Sequence, residues 1–201
     1  MQKFRTSRDF IHENSFFVFL TGTAIFGVLL GVISYCFMND AFLKQIAIAQ
    51  ENFIELRNQQ DFIHVLLKSF AGSTVFLGAA FVLGFSAIAQ PVEILLPVIK
   101  CMGLGVTIAQ VYTQNGKSGI LICLIIILPC AVLSVYALLL GVREAIGLSN
   151  ILLSGVLSQK QTEGLLPTVK LYATKFLVLE AVVAVSAGID CLCTLIYIRN
   201  F

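Results

Sequence analysis

Residues 120–141 read ILICLIIILPCAVLSVYALLLG, twenty-two consecutive positions without a charged side chain. As a helix this stretch is long enough to cross about 30 Å of hydrocarbon at 1.5 Å per residue. An isolated strand is excluded, because its unpaired backbone groups would meet no water in lipid. Four more apolar stretches repeat the theme: Ser15 to Phe37, Phe70 to Ala89, Val92 to Tyr112 and Phe176 to Ile198. The chain therefore reads as all-α, a polytopic membrane helical bundle of about five transmembrane helices in one domain over residues 1–201. Amphipathic helices on the outer and inner surfaces complete it.

Composition agrees. Hydrophobic residues make up 58% of the 201 positions and charged residues 12%, with a mean hydropathy of +0.95. Soluble domains carry roughly 25% charged residues, so a water-facing surface could not be built from this chain. The formal charge is +2 with no basic run, which argues against nucleic acid as a partner. All six cysteines (Cys36, Cys101, Cys123, Cys130, Cys191, Cys193) stand in apolar runs without C-x-x-C spacing, so they read as small hydrophobes rather than metal ligands or redox pairs. Lys3, Arg5 and Arg8 precede the first apolar run as they would in an export signal, but the run is too long and no A-x-A site follows. It is expected to remain as an uncleaved first span.

The links are short between spans two and three (Gln90, Pro91) and between spans three and four (Thr113 to Gly119, with the turn pair Asn115 and Gly116). Spans two to four are thus expected to stack antiparallel. With the N-terminus in the cytoplasm, Lys3, Arg5, Arg8, Arg143, Lys160, Lys170 and Lys175 lie inside, against Lys44, Arg57, Lys68, Lys117 and Arg199 outside. Seven against five favours N-in and, with five spans, C-out. Residues 142–170 follow span four. Their first part, Val142 to Leu157, carries Arg143, Glu144 and Asn150, and reads as a helix on the inner surface rather than a sixth span.

Residues 38–69 form a long polar segment on the outer side. Phe42, Ile46, Ala49, Phe53, Leu56, Gln60, Ile63, Leu67 and Phe70 recur at steps of three and four, one stripe of an amphipathic helix broken at Gln60. Such a stripe either lies along the outer leaflet or offers Phe42, Ile46, Phe53 and Leu56 to an extracytoplasmic partner. Small residues at helical spacing, Gly27 and Gly31, Ala80 and Gly84, Gly105 and Ala109, Ala184 and Gly188, together with Gly103, are expected to pack helix against helix, or to join copies of the chain in a homo-oligomer.

Four ionisable residues fall within spans: Glu93 and Lys100 on the third, Glu180 and Asp190 on the fifth. An unpaired charge at that depth costs at least ~2.5 kcal/mol. Lys100 is therefore expected to pair with Asp190, or to reach Glu93 or Glu180, and so to dock spans three and five. A proton or solute path is the alternative use. Pro97 removes the helical donor to the Glu93 carbonyl, which predicts a kink or polar pocket there. Catalysis finds no support. The two histidines, His12 and His64, form no HExxH and fall outside the spans, only one aspartate lies in a span, and no phosphate-binding or dinucleotide loop occurs. No enzyme activity, cofactor or metal is expected.

Residues 83–133, LGFSAIAQPVEILLPVIKCMGLGVTIAQVYTQNGKSGILICLIIILPCAVL, resemble the core of the stage II sporulation protein M family of endospore-forming Firmicutes. The resemblance is carried by Leu83-Gly84, the Pro91 link, Lys100 followed by Gly103 and Gly105, the turn around Asn115, Gly116 and Gly119, and Pro129 inside an apolar helix. Where the family shows Gln and Asn after that proline, this chain has Cys130 and Ala131. The resemblance implies a non-catalytic scaffold in the septal or mother-cell membrane. There it would anchor extracytoplasmic peptidoglycan-degrading partners, stage II sporulation proteins P and D, in a peptidoglycan remodelling complex during engulfment of the forespore. A permease component of a transporter is the competing reading of the same intramembrane charges.

Overall fold

A computed structural model describes residues 15–38, 62–86, 88–158 and 165–200, and every element among them is helical. The elements are α1 (Ser15–Cys36), α2 (Phe62–Leu83), α3 (Gln90–Ile122), a π turn (Cys123–Ile127), α4 (Leu128–Ser158) and α5 (Leu165–Asn200). Five stretches within them are long and apolar enough to cross a membrane: Ser15–Cys36, Leu66–Leu83, Gln90–Gln114, Cys123–Ser154 and Pro167–Thr194. The residues proposed for partner contact, Phe42, Ile46, Phe53 and Leu56, lie outside the described residues.

Local sequence accounts for the breaks. α3 opens with Pro91 in its first turn, where a missing N–H has no helical acceptor to disappoint. Its path reverses at Gly116, whose φ of 55° and ψ of −130° are open only to glycine. The reversal brings Gly119 so close to α3 that a Cβ on it would stand 2.5 Å from the Val111 carbonyl oxygen. Pro129 cannot donate to Ile125 one turn earlier, and the chain makes its π turn over those residues before α4 begins.

Two boundaries depart from the sequence reading. α2 starts at Phe62 rather than Phe70, so the end of the amphipathic stripe, with His64, belongs to this helix; Ile63 and Leu67 on it are exposed. Residues 142–158 do not form a separate surface helix but continue α4, burying Val142, Ala145, Leu148 and Ser149. The polar residues that suggested a break have partners: Glu144 pairs with Lys175 at 2.6 Å, Asn150 accepts from Gln90 at 2.8 Å, and Ser149 donates to the Ser86 carbonyl at 2.8 Å.

α1 packs on α3, α3 on α4, α4 on α5 and α2, and α2 on α5, while α2 and α3 meet less extensively. Leu20, Leu77, Leu138, Val142 and Val183 are buried where these helices meet. The α1–α3 contact depends on absent side chains. A Cβ on Gly27 would lie 2.6 Å from the Val98 carbonyl oxygen, and one on Gly31 or Gly105 would collide with the carbonyls of Met102 or Val28. The outward faces are apolar, with Phe19, Ile25, Val75 and Leu177 all more than half exposed, as befits helices solvated by lipid.

Candidate functional site

Polar side chains gather at two levels of this apolar body. The first surrounds the loop between α2 and α3. The last turn of a helix leaves carbonyls without helical donors, and here each is met: Ala80, Val82 and Leu83 accept from the backbone N–H of Gly84, Phe85 and Ser86. Phe81 instead accepts from the Tyr172 hydroxyl at 2.9 Å. Tyr172 also stacks on Phe81 at 5.2 Å and meets Phe85 edge-on at 5.6 Å, and its hydroxyl fills the space that a Cβ on Gly84 would need. Glu93 stands in the first turn of α3, just beyond this loop. It is 0% exposed, and neither of its oxygens has a hydrogen-bond partner among the described residues.

The second level lies about 10 Å along α3, seven residues beyond Glu93. Lys100 donates to the Ser134 carbonyl at 3.3 Å and stands 5.9 Å above the centre of the Phe76 ring. Ser186 donates to the Cys130 carbonyl at 2.9 Å, and the Cys130 sulfur lies 3.4 Å from the Ser186 hydroxyl and 3.6 Å from that of Ser69. Thr74 on α2 donates to Oε1 of Glu180 on α5. Four helices are thus joined by hydrogen bonds that close within the apolar layer.

These contacts correct the expected docking of spans three and five through Lys100. Among the described residues its partners are a carbonyl of α4 and an aromatic ring of α2, and the ion pair present is Lys175 with Glu144. Glu180 binds α2 rather than α3. Asp190 is buried, and its carbonyl accepts from Thr194 at 2.8 Å. The packing glycines divide: Gly27, Gly31, Gly84 and Gly105 are in close contact, whereas a Cβ on Gly103 or Gly188 would meet nothing within 4 Å. Tyr172 and the serines were not marked by their sequence context, since a lone hydroxyl in an apolar helix carries no periodic signal.

A cavity of about 550 Å³ lies between α1, α3 and α4, lined by apolar side chains that include Ala24, Val28, Leu104, Ile108, Leu128 and Val135. Among the described residues no carboxylate or amine lines it. A smaller hollow of about 350 Å³ between α2 and α5 is lined by Gly78, Phe81, Phe176 and Glu180. Among the described residues no three His, Cys, Asp or Glu side chains cluster as a metal site. Compared with known proteins, the chain matches no family model, no curated relative and no solved structure.

Proposed function

We propose that this chain is a non-catalytic membrane scaffold. It crosses the cell membrane five times with its N-terminus in the cytoplasm, and holds extracytoplasmic peptidoglycan-degrading partners at the septal membrane during forespore engulfment. The observation that carries the non-transport part is the use of the deep polar groups. Lys100, Glu180, Ser186 and Tyr172 each hydrogen-bond to a neighbouring helix, and the large cavity is lined mostly by apolar side chains, with no carboxylate or amine of the described residues among them. A permease would need donors and acceptors along a wet route. The partner class rests on the resemblance of residues 83–133 to the stage II sporulation protein M family, and the stripe through Phe42, Ile46, Phe53 and Leu56 is the surface we assign to the partners.

A permease component is the second reading, supported by Glu93, a buried carboxyl without a hydrogen-bond partner among the described residues. Crosslinking and affinity capture from sporulating cells separates the two. Recovery of a peptidoglycan hydrolase, lost when Phe42 and Phe53 are changed to Ser, supports the scaffold. Recovery of an ATPase subunit without a hydrolase overturns it.

A further inference from the structure

α2 lies between opposite charges supplied by its neighbours, Lys100 of α3 and Glu180 of α5. Successive residues of a helix are set 100° apart, so Thr74 and Phe76 stand on opposite sides of α2 and Val75 points outward between them. Phe76 underlies the Lys100 ammonium, and Thr74 holds the Glu180 carboxylate. The two contact residues are about 3 Å apart along the axis, so the positive and negative groups sit at nearly one depth. Each has one hydrogen bond to a neighbouring helix, and among the described residues neither has an oppositely charged partner. An ammonium has three donors, and Lys100 uses one, at a long 3.3 Å. Thr74 occupies Oε1 of Glu180 and leaves Oε2, in a hollow that opens beside α2.

The face between the charges suits another helix. Val75 and Val82 are 69% and 68% exposed. A Cβ added to Gly72 or Gly78, to either side of Val75, would meet nothing within 4 Å, so a second backbone can come close. A two-fold axis normal to the membrane sets α2 against its copy without changing any residue's depth. The same rotation exchanges the flanks, which places Lys100 of each copy opposite Glu180 of the other. An isologous contact of this kind closes on itself and makes a dimer.

We infer that the chain forms a two-fold dimer through the Val75 face of α2, closed by two reciprocal Lys100–Glu180 ion pairs between copies. The inference is independent of the scaffold's partners and depends only on the chain crossing a membrane. In the dimer each lysine gains a carboxylate that it lacks among the described residues of its own chain, and each pair forms away from water, where screening is weak.

The test uses the full chain in native membranes. A photo-crosslinking benzoylphenylalanine at Val75 should give an adduct of twice the 21.9 kDa chain, and the same group at Ile25 on α1 should not. Two differently tagged variants then probe the charges. K100E alone opposes Glu with Glu, and E180K alone opposes Lys with Lys, so each homodimer should weaken. Coexpressed, the two variants present opposite charges at both contacts, and the mixed dimer should exceed either homodimer on the order of tenfold or more. A pair made within one chain would not be restored by coexpression. Equal capture of mixed and like pairs overturns the ion pairs. A Val75 adduct only with lipid or with a different protein overturns the dimer, and because that probe leaves both charges intact, misfolding of the charge variants does not protect the idea.

Discussion

One methyl group separates two roles of glycine along α3. At Gly105 a Cβ would strike the Val28 carbonyl, and the backbones of α1 and α3 can separate only by losing contacts along the whole crossing. Gly105→Ala should therefore lower unfolding stability by about 1–3 kcal/mol. At Gly103 the same methyl meets open space, and Gly103→Ala should be neutral or raise stability by up to about 0.5–1 kcal/mol through helix propensity. Denaturation in detergent micelles compares the two; similar losses would mean that α1 does not pack where it is placed. Glu93 supplies a second test. A buried polar group without a partner costs about 1–3 kcal/mol, so Glu93→Met should leave stability unchanged or increase it, because the thioether chain fills similar space without the carboxyl. A marked loss would show that Glu93 holds a partner in the membrane.

At the scale of elements, the end of α2 is closed by another helix. Tyr172 gives the Phe81 carbonyl the donor that its own helix lacks, so Tyr172→Phe should cost about 1 kcal/mol, with faster hydrogen exchange near residues 84–86. An unchanged exchange pattern there would remove the hydroxyl from this role. This contact also marks where sequence reading stops. Spans announce themselves by apolar length, and the reversal at Asn115-Gly116 by a residue free to adopt positive φ. The continuity of α4 through Arg143, Glu144 and Asn150 was not legible, because those residues look like an exit from lipid until Lys175 and Gln90 are seen to meet them. Likewise, the presence of four deep ionisable groups could be read from residue types, but their pairing could not. Lys100 has a ring and a carbonyl within reach and Glu180 a hydroxyl, and nothing in linear spacing distinguishes these from a carboxylate–lysine pair. The glycines show the same limit: spacing places Gly103 and Gly105 in one helix, and only packing says which of them touches α1.

For the molecule as a whole, the proposed orientation follows from a narrow majority. Seven Lys and Arg on the inner side oppose five on the outer side, and three of the seven, Lys3, Arg5 and Arg8, precede the first span. Basic residues near the ends of spans hold their loops on the cytoplasmic side, so this arrangement rests on its first segment. Neutralising those three to Gln would leave four inside against five outside, and the bias would point the other way. An alkaline phosphatase reporter, which folds only outside the cytoplasm, should be active at the C-terminus of the wild-type chain. A fluorescent protein fused there should be dark, since it fails to mature when exported unfolded. In the triple Gln variant the phosphatase signal should fall and the fluorescence rise, as part of the population inserts with its N-terminus out. Because five spans put the two termini on opposite sides, a bright fluorescent fusion on the wild-type C-terminus would mean either an inverted chain or an even number of crossings. The same reporter placed at the N-terminus separates these outcomes: a cytoplasmic signal from both ends requires an even number, and α4, whose 31 residues leave too little length for two crossings, would then not be where the extra one lies.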